Sequence, residues 1–512
     1  MPSQPAWATP RAVALLIAAY LLVHLGVRLW MGPTLGLDDA EQALFAQHWL
    51  LNYRFRAPPL FTWALLGAGD VLGVNMLSIS LLRYALLAAI FAFTYLTARR
   101  LIRDPVLAAL ATFSFGAIYV FGYYSHHDLT HTTVLSAGLA ASWYVFVRLA
   151  ETPTLRWYIL LGLCFGLGML GKWNFAIFAA ALPLACLAHP GFRHLVLTWK
   201  MLPAVLVAAA VTLPSALWAL HVGPSAGDST STLLGRPGFA LPVALAKGTA
   251  DLAVAVLAYP LPFLVIFLLV FGPAAWRGLR APLPPAGDRL AVPDARLIGL
   301  AMAIAVGLYW LLIPLAGATE FKERLLQPAL LILPIYLFML VELGRPEPRA
   351  ARIYALAVAG VVAVMLVARV GIHVAGGDYC RVCRNFVPFG QIADGLRAAG
   401  FQGRGTIVVN GFHPGGNLRV QFPDARLMEI GYPARVWPKA AGSGQCLVVW
   451  VEGEGPDERA RARVDAYLVQ ELGVARTAPR REGVVSAPLH GSATRTYRLV
   501  YGLYAGPQGE CR

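Results

Sequence analysis

The sequence predicts a mostly α-helical, polytopic membrane protein with about eleven transmembrane helices and a small C-terminal α/β domain outside the bilayer. Three observations carry this reading. The 512-residue chain is 58% hydrophobic and only 13% charged, against roughly 45–50% and 25% in a soluble globular protein, which excludes a soluble enzyme built on one core. Apolar stretches of bilayer-crossing length recur from Trp7 to about His373. Beyond His373 they stop, and short β-like runs appear between Gly, Pro and charged segments. The net charge of +15 would suit a nucleic-acid binder. The basic residues, however, are scattered between apolar runs, as expected of loops retained in the cytoplasm, so nucleic acid is not an expected partner. Disorder, collagen and coiled coil are excluded by the same composition.

Spans are expected near residues 9–30, 76–98, 105–124, 132–149, 155–171, 173–188, 201–220, 250–274, 297–316, 325–343 and 352–373. The first is too long for a signal-peptide core and no small-residue cleavage site follows it, so it is expected to stay as an anchor. With the N-terminus inside, the cytoplasmic loops carry Arg99, Arg100 and Arg103; Arg148 and Arg156; Arg193 and Lys200; Arg277, Arg280 and Arg289; and Arg345, Arg349 and Arg352. The odd span count then puts the C-terminal region outside. Residues 1–374 are expected to form the transmembrane domain and residues 375–512 the outer one. Few charges fall deep in the expected spans and no internal repeat is evident, which weighs against the alternative of a transporter or flippase.

In the outer segment, Thr406–Val409 and Cys446–Val451 read as strands, and Gln391–Ala399 and Asp457–Leu472 as helices. Four of the six cysteines, Cys380, Cys383, Cys446 and Cys511, lie there. In an oxidising compartment they could form up to two disulfides, with three connectivities open. Zinc is the weaker reading of Cys380-x-x-Cys383, because no second CxxC or HxxxH completes a metal set.

Polar clusters at the outer ends of spans carry the candidate chemistry, since charge beside hydrocarbon is costly. The first is Asp38-Asp39-Ala40-Glu41 after the first span. Its acids could cap a following helix or supply a general base for an acceptor. The second is Asn52-Tyr53-Arg54-Phe55-Arg56-Ala57-Pro58-Pro59, where the double Pro forces a rigid corner. Its guanidinium groups suit phosphate or simple interfacial anchoring. The third is Tyr123-Tyr124-Ser125-His126-His127-Asp128-Leu129-Thr130-His131. On a helix, His127 and His131 with Asp128 would share a face and could bind a divalent metal, the candidate cofactor; an aromatic belt with polar caps is the competing reading. The fourth, Glu320-Phe321-Lys322-Glu323-Arg324, places Lys322 and Arg324 where they could clasp a lipid phosphate. Lys172, in Gly171-Lys172-Trp173-Asn174, is a lone cation between two spans.

Taken in order, these motifs resemble the membrane glycosyltransferases of family 39, the dolichyl-phosphate-mannose protein mannosyltransferase-like group. The resemblance includes bacterial relatives that place sugars on lipid A. It runs from about Leu35 to about Pro334 and rests on Asp38-Asp39-Ala40, Pro58-Pro59-Leu60, Asp128, Gly171-Lys172-Trp173-Asn174 and Phe321-Lys322-Glu323-Arg324. It implies a C-type glycosyltransferase fold in the bacterial inner membrane with a periplasmic C-terminal domain. It also implies a polyprenyl-phosphate-sugar donor, a protein, lipid A or other glycan acceptor, and membrane lipids as partners. On the same resemblance Asp38 and Asp128 are the catalytic acids, and Asp39, Arg56, Lys172, Lys322 and Arg324 line the substrate. The chain departs from the family before the prolines, where relatives often carry an acid with His or Lys and this sequence has Arg56 and Ala57. The stretch His413–Asn417 is an expected acceptor contact of the outer domain.

Overall fold

The computed structural model describes residues 5–56, 58–223, 239–281, 292–439, 444–452, 457–473, 481–504 and 511. The apolar runs fold as helices: α1 (Pro10–Trp30), α2 (Leu37–Phe45), α3 (Leu60–Leu72), α4 (Met76–Leu101), α5 (Pro105–Phe113), α6 (Thr130–Glu151) and α7 (Leu155–Gly171). They continue with α8 (Phe175–Ala188), α9 (Met201–Val222), α10 (Leu241–Ala258), α11 (Phe263–Arg280), α12 (Ala295–Ala316), α13 (Leu333–Leu343) and α14 (Ala350–Ala375). Among the described residues 8 helices, α1, α4, α6, α9, α10, α11, α12 and α14, are long and apolar enough to cross a membrane.

Two expectations about the spans are corrected. The apolar run at 250–274 is two helices, because Pro260 and Pro262 remove backbone donors and end α10. The break is seated by the Tyr119 N–H, which donates to the Leu261 carbonyl at 3.0 Å. An apolar helix absent from the expectation, α3, starts directly after Pro58-Pro59. The basic loops do gather at one end of the bundle. There Arg100 pairs with Glu151 at 3.0 Å, the Asp104 N–H donates to Glu342 at 2.7 Å, and Arg277 donates to the Gly344 carbonyl at 3.1 Å. Arg289 lies outside the described residues.

The C-terminal region adds α15 (Phe389–Ala398), β1 (Gly405–Val409), α16 (Phe412–Gln421), β2 (Ala425–Glu429), β3 (Gln445–Val451), α17 (Asp457–Leu472), β4 (Arg481–Pro488) and β5 (Thr496–Tyr504). The sheet order is β2-β1-β3-β5-β4. The α16 crossover makes β1 and β2 parallel (Ile407 opposite Leu427), β3 joins β1 in parallel (Ile407 opposite Leu447), and β5 runs antiparallel to β3 and β4. Central β1 and β3 are buried almost throughout, as strands covered on both faces require, whereas edge strand β4 alternates. Of the three connectivities open in the sequence, the structure forms Cys380–Cys383 and Cys446–Cys511. The second closes a sequence separation of 65 residues. A Cys446→Ser variant is expected to lose about 2–4 kcal/mol through the freed unfolded chain. Thermal melting with and without reductant checks this, and equal melting of variant and wild type would refute it.

This sheet domain is bolted to the segment that follows α1. The Gln47 side-chain amide donates to the Leu427 carbonyl at 3.0 Å and accepts from the Leu427 N–H at 2.9 Å, covering the open edge of β2. Asn417 accepts from the Leu35 N–H at 2.8 Å and donates back to the Leu35 carbonyl at 3.3 Å. The aromatic rings of Phe45 and Trp437 stack at 5.3 Å. The His413–Asn417 stretch, expected as an acceptor contact, is instead the buried start of α16 packed on α2. The approach is so close that a Cβ on Gly416 would fall on the Ala40 carbonyl. A Gly416→Val variant is therefore expected to displace α2 and lose activity while the sheet survives. Retained activity in that variant would contradict this docking.

Candidate active site

The site forms at the end of the bundle opposite the basic loops, around α2. Gly36 precedes this helix without a side-chain cap, so Asp38 and Asp39 sit inside its first turn and do not act as the expected N-cap. The cap comes from elsewhere in the chain. Asp128 Oδ1 accepts the Asp38 N–H at 3.0 Å, placing a carboxylate against the positive end of α2. The two segments meet because Gly36 lacks a side chain, since a Cβ there would lie 2.9 Å from the His127 carbonyl. Burial and the nearby Glu41 carboxylate push the Asp38 carboxyl above the ordinary carboxylate range, with His131 and Arg324 pulling the other way. Burial, then Asp38 and Asp39, push Asp128 up as well, against Arg83 and the Asp38 N–H.

Glu41 and Arg54 pair at 2.5 Å, with His131 at 3.9 Å from the same carboxylate. Burial opposes the ionised form of Glu41, but Arg54 and His131 hold the acid down at about 2. Neither Glu41 nor Arg54 was singled out from the sequence, although both lie in the quoted motifs. Gln42 contacts His131 Nε2 at 3.0 Å and accepts from the Thr62 hydroxyl at 2.6 Å, tying α2 to α6 and α3. Arg56 is half-buried on the same corner.

Lys172 caps the end of α7 and donates to the Thr132 hydroxyl at 3.1 Å. Burial and the proximity of Arg324 lower its ammonium to about 8, with Asp38 opposing. Arg324 is half-buried within electrostatic reach of Asp38, Lys172 and Tyr124. Lys322, expected beside it, is exposed. The corner is rigid. Asn174 donates to the Leu325 carbonyl at 3.0 Å, and the Trp173 indole donates to the Phe55 carbonyl at 3.0 Å.

The third motif behaves differently from its expected helix. α6 begins only at Thr130, after Leu129 in the left-handed region (φ 72°), so His127 and His131 do not share a helical face. Burial and then Arg369 push His127 down to about 3, keeping it neutral. Among the described residues no group of three His, Cys, Asp or Glu side chains could hold a metal ion. Glu41 is instead held by Arg54, and His131 contacts Gln42. The residues present do not fit a metal here.

Asp39, expected at the substrate, is fully buried and ion-paired to Arg83 of α4. Around this pair lies a polar layer in the expected spans. Arg28 donates to the Thr34 carbonyl at 2.8 Å, and Arg369 donates to the His126 carbonyl at 2.9 Å and to His24 Nδ1 at 3.1 Å. The His24 and His126 rings stack at 3.7 Å. These three arginines lie within about two turns of the site-side ends of α1, α4 and α14. Each lies inside an apolar run, where composition averages it away.

A helical membrane bundle that gathers carboxylates and cations at one end, beneath a small sheet domain, has the architecture of a C-type membrane glycosyltransferase. The structure of ArnT from Cupriavidus metallidurans bound to undecaprenyl phosphate shares this fold over 98% of this chain and 100% of its own, with a TM-score of 0.60 at 14% identity. Residues 56–218 match the family described as dolichyl-phosphate-mannose-protein mannosyltransferase. The lipopolysaccharide core galacturonosyltransferase RgtA of Rhizobium johnstonii is 30% identical over 491 residues, covering 94% of this chain and 95% of that protein. An undecaprenyl phosphate-alpha-4-amino-4-deoxy-L-arabinose arabinosyl transferase of Pseudomonas aeruginosa is 30% identical over 215 residues, covering 39% of this chain and 38% of that protein. The chain belongs to the dolichyl-phosphate-mannose protein mannosyltransferase-like family 39 and is a membrane glycosyltransferase.

Proposed function

We propose that this glycosyltransferase moves a sugar from a polyprenyl-phosphate carrier onto a lipopolysaccharide acceptor at the periplasmic face of the bacterial inner membrane. In this reading residues 1–374 form the transferase domain and residues 375–512 a periplasmic domain. The observation that carries it is the meeting of Asp38 and Asp128 with Lys172 and Arg324 at one end of the bundle. Asp38 takes the proton of the acceptor hydroxyl as its oxygen attacks the anomeric carbon. The bond from that carbon to the phosphate oxygen breaks, and Lys172 and Arg324 meet the charge on the departing polyprenyl phosphate. Asp128 holds the N-terminus of α2 and with it the base. Arg56 is a further contact for phosphate or sugar. Sequence similarity to RgtA along nearly the whole chain favours a lipopolysaccharide acceptor and a uronic-acid donor.

The test incubates purified protein in nanodiscs with a panel of polyprenyl-phosphate sugars, galacturonate first, and lipopolysaccharide acceptors, following release of free polyprenyl phosphate. Turnover of one donor only when acceptor is present supports the reading. A folded preparation that turns over no donor in a broad panel would sink it. Two further results are expected. Lys172→Met should raise the donor KM about tenfold or more, since it removes one charge-assisted phosphate contact. In the wild type that KM should rise as pH increases through about 8, where the ammonium loses its proton. A donor KM that is flat across this range, or unchanged in the variant, would remove Lys172 from the phosphate site.

A further inference from the structure

At the end of the bundle opposite Asp38, a cleft of about 1570 Å³ opens between α1, α5 and α14. Its walls are apolar, including Leu16, Ile17, Leu110, Phe113 and Val362. Its mouth carries Arg103 and Arg352, both exposed, and neither enters an ion pair among the described residues. Three acids share the mouth and keep their charge, and it is Arg99 at the end of α4, with Arg345 and Arg349 of the adjoining loop, that leave this end net positive. Asp104 Oδ1 accepts the Val106 N–H at 2.7 Å as a helix cap, Glu342 accepts the Asp104 N–H at 2.7 Å, and Glu347 is the remaining carboxylate. Along α14 the cleft runs from Arg352 to Val362, about 15 Å at the helical rise per residue. That is the hydrocarbon depth of one leaflet, half of roughly 30 Å.

At its blind end sits Tyr20, whose hydroxyl lies 2.7 Å from His126 Nε2, two residues before Asp128. An apolar slot one leaflet deep with guanidinium groups at the membrane surface complements a molecule with acyl chains and a negative phosphodiester. We propose that this cleft binds an anionic phospholipid of the leaflet at the basic end. Its phosphate rests on Arg103 and Arg352, and its chains fill the slot as far as Tyr20. Occupancy then steadies the Tyr20–His126 contact and, through it, the loop that carries Asp128.

The test uses the full-length protein, extracted from nanodiscs of phosphatidylcholine with or without phosphatidylglycerol, and native mass spectrometry to count retained lipid. This readout does not depend on which donor or acceptor the enzyme uses. Wild type is expected to retain phosphatidylglycerol at least tenfold better than phosphatidylcholine. The Arg103→Gln/Arg352→Gln variant is expected to lose that preference, and Ala359→Trp, which fills the slot without changing charge, to lose both lipids. Transferase activity should rise with phosphatidylglycerol in the wild type and stay flat in both variants. Equal retention of phosphatidylglycerol by the wild type and the double arginine variant, or retention of phosphatidylcholine as strong as that of phosphatidylglycerol, would overturn the proposal.

Discussion

Replacing Asp38 by Asn is expected to lower kcat by roughly 10²–10⁴-fold, the range a general base contributes, while the protein still folds and binds donor. The loss should be confined to turnover because α2 is held at this point through the backbone. The Asp38 N–H, not its side chain, engages Asp128, and Asn keeps that donor and nearly the same volume. What disappears is the group able to take a proton. Burial and Glu41 raise the carboxyl of Asp38 above the ordinary carboxylate range, which strengthens it as a base, and an amide has no such capacity. The check is kcat and donor KM beside a thermal melt. Wild-type turnover in a folded Asp38→Asn protein would remove Asp38 from the chemistry.

The second large effect concerns stability. Asp39→Asn or Arg83→Met is expected to destabilise the bundle by about 3–5 kcal/mol, because each leaves the other group buried without its counter-charge. Both side chains are fully buried, and Arg28 and Arg369 already add positive charge to the same layer. Loss of Asp39 should therefore be at least as damaging as loss of Arg83. The double variant Asp39→Leu/Arg83→Met is expected to recover part of the loss, since neither charge then remains buried. Melting of the three variants in one detergent decides the matter. Single variants that melt with the wild type would mean that this pair is solvated.

What was legible in the sequence follows from the range of the forces involved. The spans could be read because a bilayer demands long apolar runs, and the basic loops collected at one end as charge retention predicts. The break between α10 and α11 was hidden because Pro260 and Pro262 interrupt an apolar run without changing its polarity. At the site, Asp38, Asp128, Lys172 and Arg324 announced themselves as polar residues beside hydrocarbon. The partner of each could not be read. Asp39 and Asp38 are neighbours in sequence, yet helix geometry sends one into the bundle onto Arg83 and leaves the other beside Asp128. Arg83 itself carries no local signal, since a lone cation in the apolar part of α4, well before Arg99 and Arg100, is indistinguishable from an anchor until α1, α4 and α14 are packed together. The metal reading of His127 and His131 failed for a local reason. It assumed a helix through both, and the left-handed Leu129 ends that assumption one residue before α6 begins.

The proposed role of Asp38 is that of a base whose pKa is raised by burial and by the Glu41 carboxylate. The most direct measurement is kcat/KM for the donor against pH, for wild type and Glu41→Gln in the same nanodiscs. Gln at 41 can still accept from Arg54, so the variant removes a negative charge and keeps the side chain's size. Activity should fall with decreasing pH as Asp38 takes up a proton. In the wild type this acid limb is expected above the ordinary aspartate value of about 4, and in Glu41→Gln it is expected to move to lower pH. An acid limb at the ordinary value in the wild type, unmoved by the substitution, would contradict the account.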